Sequence, residues 1–246
     1  MWIKICGITS LEDAQLAVAA GADAVGFVFA RSPRCMTPES AARIIERLPQ
    51  SIEKVGVFGD VTLDAMTAAV EVAGLTGIQL HGEDRIAMVK ALRERTKKTY
   101  SRLRVIHVLH CAVDAGGMDA RADTLRLTNR LRVLREDAAF DTAMDAVLVD
   151  TRIADQEGGT GVAFDWNAAR PSFQLEASHL RLIAAGGLNP ENVQRAIHTL
   201  QPWGVDVSSG VEAAPGRKDP KRIEDFLRAA KEAALEPGKV NAGVTR

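Results

Sequence analysis

The stretch LRLIAAGGLNPENVQRAIHTLQPWGVDVSSGVE, residues 180–212, contains a complete strand, helix and strand unit. Residues 180–184 and 204–207 are short apolar runs, and each ends in a glycine-rich turn. Asn189, Pro190 and Glu191 after the first turn predict the start of a helix between the two strands. A strand that continues through a helix into a second strand predicts that the two strands are parallel.

The same unit recurs along the whole chain. Eight strand candidates alternate with helical patterns, and they cover residues 3–6, 24–29, 54–58, 77–80, 104–109, 146–149, 180–184 and 204–207. Further helix starts are predicted at Ser10, at Thr37 and at Asp219. Eight such units in 246 residues predict an α/β fold, a single (β/α)8 TIM barrel over residues 1–235, followed by a flexible polar tail over residues 236–246. The alternative, a doubly wound open sheet, usually marks its first turn with GxGxxG, which this sequence lacks.

Composition narrows the class of partner. Hydrophobic residues make up 46% of the chain, enough for a large core, and 31 lysines and arginines balance 32 aspartates and glutamates. Because a balanced chain has no global basic field to attract nucleic acid, we expect a small-molecule partner.

The three cysteines, Cys6, Cys35 and Cys111, are odd in number and have no CxxC spacing. This pattern argues against a disulfide framework and against a zinc site, and it fits a reducing compartment. The N-terminal residues do not resemble a cleavable leader, and the apolar run at residues 16–30 is interrupted by Asp23. We therefore expect a cytoplasmic protein without a membrane partner.

Two reactive side chains close predicted strands. Cys6 ends the first strand, and period-two alternation places it on one face with Trp2 and Lys4. If that face points into the barrel, the thiol lies at the carboxyl end of the strands, where barrel active sites are built. Asp150 caps the sixth strand and would face Cys6 across this opening, an arrangement that suits proton transfers on a bound sugar. The alternatives are a packed cysteine and an aspartate that caps a turn.

Other polar residues follow strands at the same end of the barrel. Arg34 lies in a loop stiffened by proline and could hold a carboxylate with two hydrogen bonds. Gln79 and His81 end the fourth strand, although a histidine in a turn is more often structural. Asp206 on the last strand is predicted to form an ion pair with Lys4 on the first, because these strands are neighbours in a closed barrel.

Glycine-rich turns follow the last three strands. Glycine lets backbone N–H groups approach an anion closely, and the loops after strands seven and eight are the usual phosphate site of a barrel. The predicted phosphate-binding residues are Gly159, Gly161, Gly186, Gly187, Ser208, Ser209 and Gly210.

An arginine-rich segment spans residues 119–135 in the long connection between strands five and six. Its arginines could bind phosphate or nucleic acid. However, Leu127, Leu131 and Leu134 form a helical stripe, which favours an amphipathic helix with a solvated polar face.

Eight short motifs occur one after another at or near these strand ends. They are KICGIT at 4–9, SPR at 32–34, QLHGE at 79–83, LVDT at 148–151, GGTG at 158–161, FDW at 164–166, AGGL at 185–188 and DVSSGVE at 206–212. With them, the sequence from residue 3 to about residue 230 resembles the phosphoribosylanthranilate isomerase family of tryptophan biosynthesis. Three features depart from the family pattern: Cys35, where relatives often carry an aromatic residue after SPR, a longer connection between strands five and six, and a longer C-terminal tail.

The resemblance implies a specific reaction. N-(5-phosphoribosyl)anthranilate is converted to 1-(2-carboxyphenylamino)-1-deoxyribulose 5-phosphate by an Amadori rearrangement, without a metal or an organic cofactor. It implies Cys6 as base, Asp150 as acid, Arg34 near the anthranilate carboxylate, and the glycine loops on the phosphate. Because a free thiol is mostly protonated at neutral pH, Cys6 then needs a lowered pKa or help from a neighbouring positive charge, Lys4 or the iminium intermediate.

Three other functions would leave different residues in the sequence. A ribulose-phosphate epimerase would need metal-binding histidines with paired aspartates at strand ends, and an indole-glycerol-phosphate synthase would need a catalytic lysine with a glutamate partner. The sequence has neither set at matching positions. A non-catalytic phosphate-binding barrel would bind ligand without turnover, and Cys6 and Asp150 argue against it. The sequence does not distinguish a monomer from a homodimer.

Overall fold

The computed structural model describes residues 1–82, 85–97, 103–113, 120–153, 166–173 and 181–236. Eight parallel strands form a closed barrel in sequence order, and the last pairs with the first through Lys4 and Asp206. The strands are β1 (Trp2–Cys6), β2 (Ala24–Val28), β3 (Glu53–Phe58), β4 (Gly77–Leu80), β5 (Arg104–Val113), β6 (Ala146–Ile153), β7 (Arg181–Ala184) and β8 (Gly204–Val207). The predicted TIM barrel is confirmed.

Helices surround the barrel. In the described part of the chain they are α1 (Leu11–Ala19), α2 (Pro38–Ile45), α3 (Leu63–Ala73), α4 (Ile86–Thr96), α5 (Ala120–Glu136), α6 (Ala138–Ala143), α7 (Trp166–Phe173), α8 (Val193–Leu200) and α9 (Pro220–Leu235). None of the helices in these ranges is long and apolar enough to cross a membrane. The last helix ends where the predicted tail begins, and residues 237–246 of that tail lie outside the described residues.

The side chains that start the helices agree with three of the four predicted caps. The side chains of Ser10, Thr37 and Asp219 each accept a backbone N–H in the first turn of α1, α2 and α9. The predicted start at Asn189 is wrong, because α8 begins only at Val193. The Asn189 side chain instead accepts the N–H groups of residues 191 and 192, which holds these residues in a turn before the helix.

Alternation along the strands divides the apolar core into two layers. Ile3 and Ile5 face the helices and join the large cluster between sheet and helices. Trp2 faces inward and packs with Val55 and Leu148 inside the barrel. The predicted inward face of β1 is thus confirmed, and it carries Lys4 into the barrel interior together with Trp2.

Strands β5 and β6 are longer than predicted. Their predicted ends lay before His110 and Asp150, where the apolar runs stop, but the two strands stay paired as far as Val113 and Ile153. Continued parallel pairing satisfies the backbone N–H and C=O groups whatever the side chains are. The added length places His110 directly opposite Asp150 in the register.

The arginine-rich segment forms helix α5. Leu127 and Leu131 are buried against the barrel, whereas Leu125 and Val133 on the same helix are exposed. This burial confirms the predicted amphipathic helix and gives the segment a packing role.

Candidate active site

A cavity of about 200 Å³ opens at the carboxyl ends of the strands. Each predicted site residue in the described part of the chain lines it: Cys6, Arg34, Gln79, His81, Asp150, Gly186, Gly187, Asp206, Ser208, Ser209 and Gly210. Gly159 and Gly161 lie outside the described residues. A larger cavity of about 480 Å³ lies between the helix-facing side of β5 and helices α4 to α6, and it contains no predicted site residue. The barrel opening is therefore the candidate site.

A buried ion pair beneath Cys6 joins β1 and β8, the two strands that close the barrel. Lys4 is 0% exposed, and its Nζ donates to Asp206 Oδ1 at 2.7 Å and to Gln79 Oε1 at 2.9 Å. The predicted pair between Lys4 and Asp206 is confirmed. Gln79 is a further acceptor for the same ammonium, so three strands hold this lysine in one position.

Burial and charge act in opposite directions on the pKa values of this cluster. Burial alone lowers the pKa of Lys4, but the charges of Asp206 and Cys6 outweigh it and raise the pKa above its ordinary value. Burial raises the pKa of the Cys6 thiol, and the opposing effect of Lys4 is smaller. The thiol is therefore protonated at neutral pH. Of the two conditions set for Cys6 as a base, a lowered pKa is not found, which leaves help from a neighbouring positive charge.

Gly26 makes room for the thiol, a function that the sequence analysis missed. A Cβ atom at this residue would lie 2.8 Å from Cys6 Sγ, closer than real Cβ contacts, and 3.0 Å from Lys4 Cε, which is a tight contact. A glycine inside a strand is a known sign of close approach, and that signal was present in the second strand.

Arg34 is held by a carboxylate that was quoted in a motif but given no role. Its Nε and Nη2 donate to the two Glu212 carboxylate oxygens, each at 2.7 Å. Lys218 also donates to Glu212, at 2.9 Å, and to the backbone carbonyl of Ser208 at 3.0 Å. Burial opposes ionisation of Glu212, but the hydrogen bonds and charges of Arg34 and Lys218 outweigh it and hold the pKa of this carboxyl below its usual value.

This carboxylate lies on a hairpin that follows the last barrel strand. Strands β9 (Glu212–Ala214) and β10 (Arg217–Lys218) pair antiparallel, and the hairpin was not predicted. Because Glu212 occupies only one edge of the Arg34 guanidinium, the remaining N–H groups stay available to a carboxylate in the cavity. Nothing in the sequence marked Lys218, since it comes close to Glu212 only through the hairpin.

The loops after β7 and β8 touch each other at the cavity wall. A Cβ atom at Gly210 would lie 1.8 Å from the carbonyl oxygen of Leu188, so only glycine allows this approach. The contact aligns Gly186 and Gly187 in the first loop with Ser208 and Ser209 in the second on one wall. Backbone N–H groups and hydroxyls concentrated in this way suit an anion.

His110 lies next to Asp150, and His81 contacts His110. Nδ1 of His110 is 3.9 Å from Asp150 Oδ2, and Nε2 of His110 is 3.1 Å from His81 Nδ1. His110 was not predicted, because its strand was expected to end before it. The site thus contains a thiol backed by an ammonium group and a carboxyl group backed by imidazoles, which can serve proton transfer on one small molecule.

Comparisons with known proteins agree on one family. The family model for N-(5′-phosphoribosyl)anthranilate (PRA) isomerase matches residues 3–229. The N-(5′-phosphoribosyl)anthranilate isomerase of Citrifermentans bemidjiense is 40% identical over 234 residues, covering 95% of this chain and 98% of the relative.

Solved structures give the same result. The structure of monomers generated from the dimeric phosphoribosylanthranilate isomerase of Thermotoga maritima is 36% identical, with a TM-score of 0.71 over 94% of this chain and 99% of that chain. A phosphoribosylanthranilate isomerase in complex with reduced 1-(o-carboxyphenylamino)-1-deoxyribulose 5-phosphate is 37% identical, with a TM-score of 0.71 and the same coverage of 94% and 99%.

Proposed function

Because the chain belongs to the N-(5′-phosphoribosyl)anthranilate isomerase family, we propose that Cys6 is the base and Asp150 the acid of its reaction. The protein is an enzyme of tryptophan biosynthesis with phosphoribosylanthranilate isomerase activity. The observation that carries the assignment is that both residues line the same cavity as the loops suited to an anion. An acid and a base on one cavity meet the requirement of an Amadori rearrangement, which needs a proton on one atom and the removal of another.

The proposed steps are those that the family resemblance implies for these two residues. Asp150 gives a proton to the ribose ring oxygen, and the ring opens to an iminium ion. Cys6 takes the proton from C2′, and the electron pair moves to the iminium nitrogen to give an enolamine. The enolamine then tautomerises to the ketose product. The nitrogen of the substrate is the electron sink, so these steps use only the side chains of the protein.

The raised pKa of the Cys6 thiol bears on the step at which this residue can act as a base. Burial disfavours the thiolate, and Lys4 offsets part of this cost. Once the ring opens, the iminium ion adds a second positive charge near the sulfur, and a nearby positive charge favours the thiolate. Cys6 thus becomes a base after ring opening, which ties the second proton transfer to the first.

The two ends of the substrate match the polar walls of the cavity. We propose that residues 186–187 and 208–210 bind the 5-phosphate, and Gly159 and Gly161 stay predicted members of the same phosphate site. Arg34, aligned by Glu212, is placed on the anthranilate carboxylate. Support for the phosphate comes from the relative solved with a 5-phosphate ligand.

The test is an anthranilate fluorescence assay with freshly made phosphoribosylanthranilate. The wild-type protein should remove substrate emission faster than spontaneous hydrolysis and yield the rearranged ketose. Cys6→Ser should fold normally and lose about a hundredfold or more in kcat. Cys6→Ala, which removes the thiol and cannot take a proton, should lose as much. Near-normal turnover of either variant would remove Cys6 from the base role.

A second pair of variants tests the acid. Asp150→Asn should be inactive on the closed-ring substrate and should recover turnover on a substrate that is already open. The matched control is Asp60→Asn, a loop aspartate with a side chain that is 99% exposed, which should keep wild-type kcat. Unchanged activity of Asp150→Asn on the closed ring would exclude the acid role.

Assembly and location stay predictions. A homodimer, the state named for the Thermotoga maritima relative, and a monomer are distinguished by light scattering on the purified protein. A cytoplasmic location is consistent with the free thiols of Cys6 and Cys35, and fractionation of cells that express the tagged protein tests it.

A further inference from the structure

The proton balance of the proposed reaction leaves a task that neither Cys6 nor Asp150 performs. In each turnover Asp150 loses a proton to the ring oxygen, and the product keeps it as a hydroxyl. Cys6 gains the proton of C2′, and the tautomerisation that follows adds and removes one proton each. Because product and substrate are isomers, the enzyme ends one proton short at Asp150 and one in excess at Cys6. Asp150 therefore needs a proton donor before the next turnover.

Strand pairing places a candidate donor beside this carboxyl group. His110 on β5 lies opposite Asp150 on β6, and it shares the inward alternation of Ile106 and Val108. Its Nδ1 is 3.9 Å from Asp150 Oδ2, an ion-pair distance that is longer than a hydrogen bond. Hydrogen bonds of catalytic groups are often long in an empty site and shorten when substrate binds.

The second nitrogen of His110 is coupled to His81. Nε2 of His110 lies 3.1 Å from Nδ1 of His81, and the two rings are tilted by 32°. One proton lies between these nitrogens when both rings are neutral, so one ring donates and the other accepts. His81 also lines the cavity, where water can reach it.

This coupling links the tautomer of His110 to the protonation state of Asp150. If His81 donates, the proton of His110 is on Nδ1 and faces the carboxylate form of Asp150. If His110 donates to His81, its Nδ1 is bare and can accept a hydrogen bond from the protonated form of Asp150. Each form of Asp150 therefore selects one tautomer of the pair.

We propose that His110 is a positioning residue that reprotonates Asp150 after each turnover, with His81 as the second member of a proton relay. This proposal rests on the proposed role of Asp150. The Nδ1–H bond of His110 breaks as the Oδ2–H bond of Asp150 forms, and Nε2 of His110 takes the Nδ1 proton of His81. His81 recovers a proton at Nε2 from water in the cavity, and solvent takes the excess proton of Cys6. Both rings then have their proton on Nε2, and proton exchange with water after product release restores the two Nδ1–H tautomers before the next turnover.

The other titratable groups that line the cavity are on other elements. They are Arg34 in the loop after β2, Cys6 on β1 and Asp206 on β8. Arg34 is paired with Glu212, and Asp206 is paired with Lys4. Because Arg34 and Asp206 each have an ion-pair partner of their own and His110 lies nearest to Asp150, we expect the pH response of the relay to follow His110 and Asp150.

The test compares His110→Gln with wild type. Glutamine keeps a polar side chain but cannot accept a proton at one atom while releasing one from another. We expect kcat to fall about tenfold or more with KM within about twofold, because the relay acts after substrate binding. The kcat of the variant should also rise with the concentration of a small acidic buffer such as imidazolium, which can protonate Asp150 from solvent. An unchanged kcat, or a loss that buffer does not relieve, would overturn the relay.

A double variant separates the relay from a structural effect. In the Asp150→Asn background, on the pre-opened substrate, His110→Gln should cause no further loss, because the group it serves is gone. An equal loss in both backgrounds would contradict the proposal. Should His110→Gln fold poorly by circular dichroism, His81→Gln tests the same relay with the same expected buffer response. The matched control is His198→Gln on α8, outside the cavity, which should behave as wild type.

The two proposals fail in different ways. If Asp150→Asn keeps full activity on the closed ring, the proposed acid is wrong and the relay has no group to serve. If Asp150→Asn is inactive while His110→Gln is normal, the relay alone is wrong.

Discussion

Replacement of Lys4 by methionine, alone and together with a change at Asp206, should distinguish the effect of Lys4 on the stability of the barrel from its effect on catalysis. The side chains are similar in length, so the variant removes a charge with little change in volume. Lys4 Nζ lies 2.7 Å from Asp206 Oδ1, and at an effective dielectric constant of about 20 this distance corresponds to about 6 kcal/mol of Coulomb attraction. Most of that energy offsets the cost of burying the two charges. The variant leaves Asp206 buried and unpaired, which costs about 3–5 kcal/mol of unfolding free energy.

The double variant Lys4→Met/Asp206→Asn removes both charges. Its unfolding free energy should return to within about 2 kcal/mol of wild type, because no unpaired charge is left. Urea unfolding of the wild type, both single variants and the double variant measures the coupling between the two residues. Costs that simply add would show that the two residues do not stabilise each other as a charge pair.

Activity should not recover with stability. Both Lys4→Met and the double variant lack the positive charge that offsets the burial of the Cys6 thiolate. We expect kcat about a hundredfold or more below wild type in each, measured on folded protein. A double variant that regained both stability and turnover would show that Lys4 only packs the barrel, and the mechanism given for Cys6 would be refuted.

Three further outcomes are expected. Glu212 has a lowered pKa in the folded protein, so the stability that its ionised form contributes is present above its unfolded pKa of about 4.5 and is lost as pH falls below that value. Urea unfolding at several pH values should show this loss of stability in the wild type and not in Glu212→Gln. Equal acid sensitivity of the two proteins would contradict the ion pair. Gly210→Ala should separate the two anion loops and raise KM for the phosphorylated substrate about tenfold or more in steady-state assays, with an unchanged KM as the contrary result. Gly26→Ala should displace the Cys6 thiol and lower kcat about tenfold or more while KM changes little, and a normal kcat would argue against the close contact.

The sequence predicted the barrel and the opening at its carboxyl end well. The alternation of apolar runs and helical stripes depends on residues a few positions apart, and eight repeats leave few other closed arrangements. The predicted pairing of Lys4 with Asp206 succeeded for a similar reason, since closure makes the first and last strands neighbours. Strand ends were less predictable: β5 and β6 continue through polar residues because their partners satisfy the backbone.

The sequence by itself determined the repeat, the identity of the side chains at the strand ends and the glycines that permit tight turns, because these are local properties of the chain. Only the tertiary structure decided that Arg34 pairs with Glu212, that His110 faces Asp150 and that the pKa of Cys6 is raised. Closure of the barrel brings together groups as far apart as Lys4 and Asp206, which are separated by 202 positions. Burial and nearby charge depend on such contacts, and both are properties of the folded molecule alone.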